Sequence, residues 1–565
     1  MTMAPNRLSE PGTMTPGLLA ALCGLGVVLV LGGAAAIAFF VGSAPTADPT
    51  SIEQTSGVGF SWPVMLVGIL VAVVLAGLAV LVLVKSRRDS RYDYKAKYMA
   101  TVEDMEELSP AHLEKEGERM GTREVGLGVP LGRMVCPGGI ELASSFEYVR
   151  VAIMGPRAGK TSGVVVRELM ETTGPAIVTS NKRDVVDTTR GPRSERGLVR
   201  VQDIQQIVRE KPSWWWNPLS FVHDVETAER LTAILEASNT PKDAKGDAYF
   251  PVAGRQYLSS LLLAAAAGGR PMSTVLGWVN KPSNREPLGI LREHGFSGAY
   301  ETLEGVVELT GKQRDGVTGT AAPWVGFLRN PNYLAWIEPI GPDDKRPQLN
   351  VDEFVASKAD TLYLVSKEGA GSGRAITAAL TMAVLDAADR LGSFSKGGRL
   401  PRPLMACLDE AANVVRWPEL PDLYSHYGSR GIILSVFLQS WTQGVEAWGE
   451  GGMKKMWSAA NVQMVGKGVG EAAFLRELQE LIGTRDVRSR SLSSGKGGRS
   501  SSWSIRKDNI FDISELRAIP KMRALVFSTG APATYVALEP WWMQDSYSES
   551  VKASQDHYES TGVKA

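Results

Sequence analysis

The tract Gly155-Pro156-Arg157-Ala158-Gly159-Lys160-Thr161-Ser162 carries the residue types that hold a chain of phosphates. Gly159 lets the backbone come close to phosphate, Lys160 has the reach for the β and γ phosphates, and the Thr161 hydroxyl can be offered to magnesium. The usual P-loop spacing, G-x-x-x-x-G-K-[ST], puts a first glycine at position 154; this chain has Met154 there and its glycine one place later. The Gly-Lys-Thr end is intact. About 250 residues further on, the apolar run Leu404-Met405-Ala406-Cys407-Leu408 ends in Asp409-Glu410, a Walker B pattern. Two adjacent acids at a strand tip can divide the labour: Asp409 holds magnesium through water, and Glu410 polarises an attacking water. Either tract alone is a common chance occurrence; together they point to hydrolysis of ATP with Mg2+.

Two more residues belong to the same argument. The apolar run Gly431 to Leu438 ends in Gln439-Ser440, and an amide at the tip of a strand beside Walker B is placed to sense the γ phosphate. The alternative for Gln439 is a residue that caps the following helix. Arg430, just ahead of that run, is a candidate arginine finger that completes a neighbouring subunit's site, or else a solvated loop residue.

The elements that must position these groups are legible as alternating patterns. Tyr148–Met154 reads as a buried strand running into the Gly-rich loop, with a helix over Gly163–Thr172 behind it. Further strands are expected at Pro175–Thr179, Thr361–Val365, Val462–Val465, Ala524–Ser528 and Thr534–Leu538. Helices are expected at Ala375–Leu391 and Glu471–Ile482. From about Asp224 to Asn332 the β-branched runs stop, and helices are expected at Val225–Ser238, Arg255–Ala267, Met272–Val279 and Leu288–His294, broken by Gly268-Gly269 and Pro282. The expected fold class is therefore α/β: a RecA-like P-loop NTPase domain with a mostly parallel, doubly wound sheet, over 96–223 and 345–550, and an inserted all-α domain at 224–344. A short tail, 551–565, would close the chain.

Two apolar runs precede this domain. Pro16–Ala47 carries no charge, and its core, about 17–41, is long enough to cross a bilayer as a helix, as is 62–84. Lys85, Arg87, Arg88 and Arg91 follow the second run, while the loop between the runs carries Asp48 and Glu53 and no basic residue. The positive-inside rule then gives residues 1–95 as a two-helix transmembrane hairpin in the inner or cell membrane, with the N-terminus and the bulk of the chain cytoplasmic. The first run can also be read as a signal peptide, a reading its length opposes.

Composition bounds the rest. The 565 residues are 44% hydrophobic and 22% charged, which excludes a disordered chain and a small disulfide scaffold. Lys plus Arg and Asp plus Glu both number 61, so any nucleic acid must be held by a local patch or channel. The three cysteines and five histidines show no zinc spacing. Between Asp486 and Asp508, Arg488, Arg490, Lys496, Arg499, Arg506 and Lys507 alternate with Ser and Gly around Trp503. This segment reads as a solvated surface loop, with contact to a nucleic-acid backbone as the alternative.

The assembled motifs resemble the type IV coupling proteins of conjugation and type IV secretion, the TraG/TraD family. The resemblance runs over nearly the whole chain: the hairpin, the Arg-Ala-Gly-Lys loop, Thr179-Ser180-Asn181-Lys182, Trp216-Asn217-Pro218-Leu219, Asp409-Glu410-Ala411-Ala412-Asn413, Ser429-Arg430-Gly431-Ile432, Leu438-Gln439-Ser440 and Ser514–Pro520. It implies a membrane-anchored homo-hexameric ATPase that recruits single-stranded DNA carrying a relaxase, duplex DNA, or secreted proteins, and feeds them to channel components of the secretion system. In this family the inserted helical domain helps recruit substrate. Met154, Asn181 and the near absence of chain after 550 depart from the family pattern. A nucleotide-regulated docking receptor without strong motor activity and an FtsK-type DNA motor are the competing readings.

Overall fold

The computed structural model describes residues 33, 62–63, 65–67, 69–74, 90–240, 249–367, 373–495 and 498–563. The chain divides into two units, Met1–Asp93 and Tyr94–Ala565. In the first, the expected span 17–41 lies outside the described residues apart from Gly33. Of 62–84, the described positions are helical, with Trp62, Leu66, Leu70 and Val73 exposed. Among the described residues no helix is long and apolar enough to cross a membrane.

The second unit is built on an eleven-stranded sheet. Its strands are β1 (Val129–Met134), β2 (Glu141–Ser144), β3 (Arg150–Ile153), β4 (Ala176–Ser180), β5 (Val199–Asp203), β6 (Thr361–Val365), β7 (Leu404–Leu408), β8 (Ile432–Leu438), β9 (Val462–Gly466), β12 (Arg523–Ser528) and β13 (Thr534–Ala537), in the order β2-β1-β13-β12-β9-β3-β8-β7-β4-β6-β5. From β9 to β5 every neighbouring pair is parallel. Residues of β3, β4, β6, β7 and β8 are buried throughout, which is why they read as continuous apolar runs rather than alternating ones. The antiparallel strands β12, β13, β1 and β2 extend the sheet beyond β9. Neither β1, β2 nor β5 is evident from the sequence, because Gly132, Pro130 and the charged Arg200 interrupt the apolar signal that the neighbours supply in space.

Between β5 and β6 the described chain holds helices and no strand of the sheet, and β5 and β6 are themselves paired, so the helical excursion leaves and returns at adjacent strands. Four of its helices fall where the sequence places them. Two more, Ser297–Glu308 and Gly311–Ala321, escape sequence reading because Gly298, Gly305, Gly316 and Gly319 dilute their helix propensity. Packing restores it: Leu303 and Val317 are buried, and Gly316 sits so close to the Phe250 ring that a Cβ there would collide with it.

One expectation is corrected. The basic segment 486–508 is not an irregular loop but a two-stranded antiparallel hairpin, β10 (Thr484–Gly495) and β11 (Gly498–Asn509), outside the main sheet. Ser and Gly are poor strand formers, so the pairing comes from the ladder itself, which runs as far as Gly495 opposite Gly498. Its base is tied down, with Arg485 over the Tyr98 ring at 4.6 Å. The expected short tail, 551–565, is helical over its described residues. A helix, Ser548–Val563, packs along the helix Asp184–Ser194, with Val551 buried and Ser554 Oγ donating to the Asp187 carbonyl at 2.6 Å.

Candidate nucleotide site

Parallel pairing places the carboxyl ends of β3, β8, β7 and β4 on one edge of the sheet, and the residues that follow each strand meet there. A cavity of about 600 Å³ is lined by Met154 to Ser162 after β3, Glu410 after β7, Gln439 after β8, and Lys182, Asp184 and Thr188 after β4. The volume is in the range of a small-molecule site, and the lining is largely charged and polar. The sequence motifs are thus brought together.

The loop is shaped by its glycines in two different ways. Gly159 has φ +102°, a conformation L side chains rarely adopt, and the sulfur of Met522 fills the place of a Cβ. Gly155 has an ordinary φ, but a Cβ would lie 2.8 Å from Gly468 Cα, and its N–H is donated to the Lys467 carbonyl at 2.8 Å. The shifted first glycine is therefore a packing glycine between β3 and the turn after β9. Arg157 also takes positive φ, at 59°. Behind the loop, Thr161–Val165 makes one wide helical turn before the regular helix Val166–Glu171.

Lys160 and the Walker B acids form one charge cluster. Lys160 Nζ is 2.7 Å from Asp409 Oδ1 and 2.5 Å from Glu410 Oε1, and both carboxyl side chains are nearly fully buried. Successive side chains of a strand point to opposite faces, so two neighbours reach one ammonium only if the chain turns. Glu410 supplies that turn, with the left-handed backbone φ of 54°. Burial works against the Lys160 charge, but Asp409 and Glu410 outweigh it and hold the ammonium pKa above its usual value. Burial pushes the Asp409 carboxyl up, with Lys160 pulling the other way.

Gln439 Nε2 donates to Glu410 Oε2 at 2.8 Å. The helix that follows is capped by Ser440 Oγ, which accepts from Gln443 N, so the capping alternative falls to the neighbouring serine. Arg430 lies away from this cavity in its own chain: its Nε is 3.1 Å from Asp389 Oδ1 and its guanidinium donates to the Gly398 carbonyl at 3.0 Å. Thr161 and Asp409 bring only hard oxygen donors, a set that suits magnesium over softer metals. Among the described residues no group of three or more His, Cys, Asp or Glu could hold a metal.

Lys182, named above only as part of a family motif, also lines the cavity. Lys521, Trp541, Trp542 and Gln555, not singled out from sequence, line it from segments far apart in the chain. Under the loop helix, Glu168 is 3.0 Å from Arg150 of β3, and Arg150 also donates to Ser435 of β8. Burial pushes the Glu168 carboxyl up to about 7 despite Arg150.

Two family models match the sequence, type IV secretory system conjugative DNA transfer over residues 102–287 and the TraM recognition site of TraD and TraG over residues 403–521. The chain belongs to the type IV coupling proteins. Three solved structures show the same fold at low identity. The unbound bacterial conjugative coupling protein TrwBdeltaN70 has a TM-score of 0.51 and 14% identity, covering 70% of this chain and 85% of that one. TrwB with the non-hydrolysable ATP analogue ADPNP has a TM-score of 0.51 and 14% identity, covering 70% and 86%. TrwB with ADP and Mg2+ has a TM-score of 0.50 and 15% identity, covering 70% and 85%. No curated protein matches the coupling protein by sequence.

Proposed function

We propose that the coupling protein is a membrane-anchored ATPase that couples hydrolysis of ATP with Mg2+ to the recruitment and translocation of relaxase-bound single-stranded DNA, or of protein substrates, into a type IV secretion channel. The observation that carries this reading is the meeting of Lys160, Asp409, Glu410 and Gln439 at one sheet edge within the Gly-Lys-Thr cavity. Gly155–Ser162 hold the phosphates, with Lys160 exchanging its carboxylate partners for them. Thr161 and Asp409 hold magnesium, which when bound neutralises charge on the phosphoryl oxygens. Glu410 orients and polarises the attacking water, and Gln439, bonded to Glu410, couples the state of the phosphates to β8. Support for ATP and Mg2+ comes from the ligands of the TrwB structures, and support for DNA transfer and for a TraM-type partner from the descriptions of the two family models.

The two apolar runs, 17–41 and 62–84, anchor the chain in the inner or cell membrane with residues 85 onward and the N-terminus in the cytoplasm. The helical block 224–344 is the inserted all-α domain that meets substrate. Arg430 acts from the neighbouring protomer of a homo-hexamer. ATP turnover by the full-length protein in detergent, without DNA, with single-stranded DNA and with duplex, tests the reading beside Lys160→Ala. Stimulation by DNA that vanishes in the variant is expected; a Lys160-dependent rate indifferent to DNA would reject the DNA motor in favour of a docking ATPase.

A further inference from the structure

The segment after β13 has no part in the motif argument, yet it supplies three residues to the same cavity, Trp541, Trp542 and Gln555. The two tryptophans are treated differently by the fold. Trp541 is 9% exposed and rooted in a cluster with Val166, Met170, Tyr547 and Val551, so it is fixed to the helix behind the Gly-Lys-Thr loop. Trp542 is 54% exposed and lines the cavity. The rings meet edge to face at 5.4 Å and 82°, so the buried tryptophan orients the open one.

The placement is also fixed through the backbone. Met522 N–H donates to the Ala158 carbonyl of the loop at 3.0 Å, and Leu538 N–H donates to the Met522 carbonyl at 3.0 Å, three residues before Trp541. Two hydrogen bonds thus link the phosphate loop to the tryptophan turn. Downstream, the helix Ser548–Val563 is held by Ser554 on Asp187 and Gly191 and by Arg183 on the Tyr558 carbonyl, and it brings the Gln555 amide to the cavity. The lining therefore combines cations, Lys160, Lys182 and Lys521, with an open aromatic face. A nucleoside triphosphate has the matching pair of features, an anionic chain and a flat π surface.

We propose that Trp542 is the stacking platform for the purine base, so that the C-terminal segment completes the nucleotide site. The proposal rests on the reading of Gly155–Ser162 as the phosphate cradle. The test is binding of ATP and of inorganic tripolyphosphate to the full-length protein in detergent, by calorimetry, for the parent, Trp542→Ala, Trp542→Phe and Lys160→Ala. Trp542 is half exposed, so its truncation opens no core. Trp542→Ala is expected to bind ATP about tenfold more weakly, in the range of a lost base–aromatic stack. It keeps parental affinity for tripolyphosphate, Trp542→Phe restores ATP binding to within about twofold, and Lys160→Ala loses both ligands. Parental ATP affinity in Trp542→Ala, with Lys160→Ala still defective, would overturn the platform and leave the phosphate cradle standing. Equal loss of ATP and tripolyphosphate in Trp542→Ala would also overturn a role confined to the base. Undiminished binding of both ligands by Lys160→Ala would overturn the cradle, and the platform with it.

Discussion

At the scale of single residues, the site is governed by how few charges are buried together. Lys160 is shared by Asp409 and Glu410, and Gln439 occupies the second oxygen of Glu410. Glu410→Gln keeps the shape and the hydrogen-bonding partner while removing the carboxylate proposed to act as base. It is expected to bind ATP as the parent does and to turn it over about 10²- to 10⁴-fold more slowly in a steady-state assay; parental turnover would reject the role. The neighbouring Glu168 gives a prediction in pH. Its folded pKa, about 7, stands above the usual glutamate value of 4.5, so the native state binds more protons than the unfolded chain between those values. Through this group, stability is full below about 4.5 and is lost as pH rises toward about 7. Glu168→Gln is expected to flatten that part of a melting-temperature profile, even though leaving Arg150 without its carboxylate lowers stability overall. An unchanged slope would mean that Glu168 is ionised throughout.

Among elements, the loop depends on neighbours remote in sequence. Gly155 is packed against Gly468 in the turn after β9, and Gly159 against Met522, which precedes β12. Gly155→Ala would force β3 and β9 apart at the loop and is expected to cost about 1–3 kcal/mol, read as a shifted denaturation midpoint. A neutral outcome would show that the turn after β9 yields freely. The same logic accounts for the hairpin and the C-terminal helix. β10 and β11 are legible as a basic, Ser-rich segment but not as strands, since their order comes from pairing with each other. The helix Ser548–Val563 carries little apolar periodicity, and it is the contacts of Val551, Ser554 and Tyr558 with their surroundings that fix it.

On the scale of the whole molecule, the proposed link between nucleotide chemistry and assembly is Arg430. Within its own chain this residue is held by Asp389 and the Gly398 carbonyl, at the foot of β8 rather than at the cavity. A finger acting across protomers would have to leave those partners. Mixing Arg430→Ala with Lys160→Ala protomers tests it: in a shared-site hexamer, some interfaces pair an intact cradle with an intact finger, and turnover is expected to recover above either variant alone. Absence of recovery at every mixing ratio would remove Arg430 from the mechanism.

Much of the site was written in local sequence. The Gly-Lys-Thr loop, Asp409-Glu410 and Gln439 each stand at the end of an apolar strand, and a buried parallel strand announces itself by a continuous run that needs no partner to be recognised. What the tertiary structure decided is everything that depends on contact between distant segments. It set the left-handed turn at Glu410 that aims two adjacent acids at Lys160, the use of Gly155 for packing, the pairing of β10 with β11, and the entry of Trp542 and Gln555 into the cavity. Such features follow from long-range packing and pairing, and no local pattern of residue types encodes which remote segment will arrive.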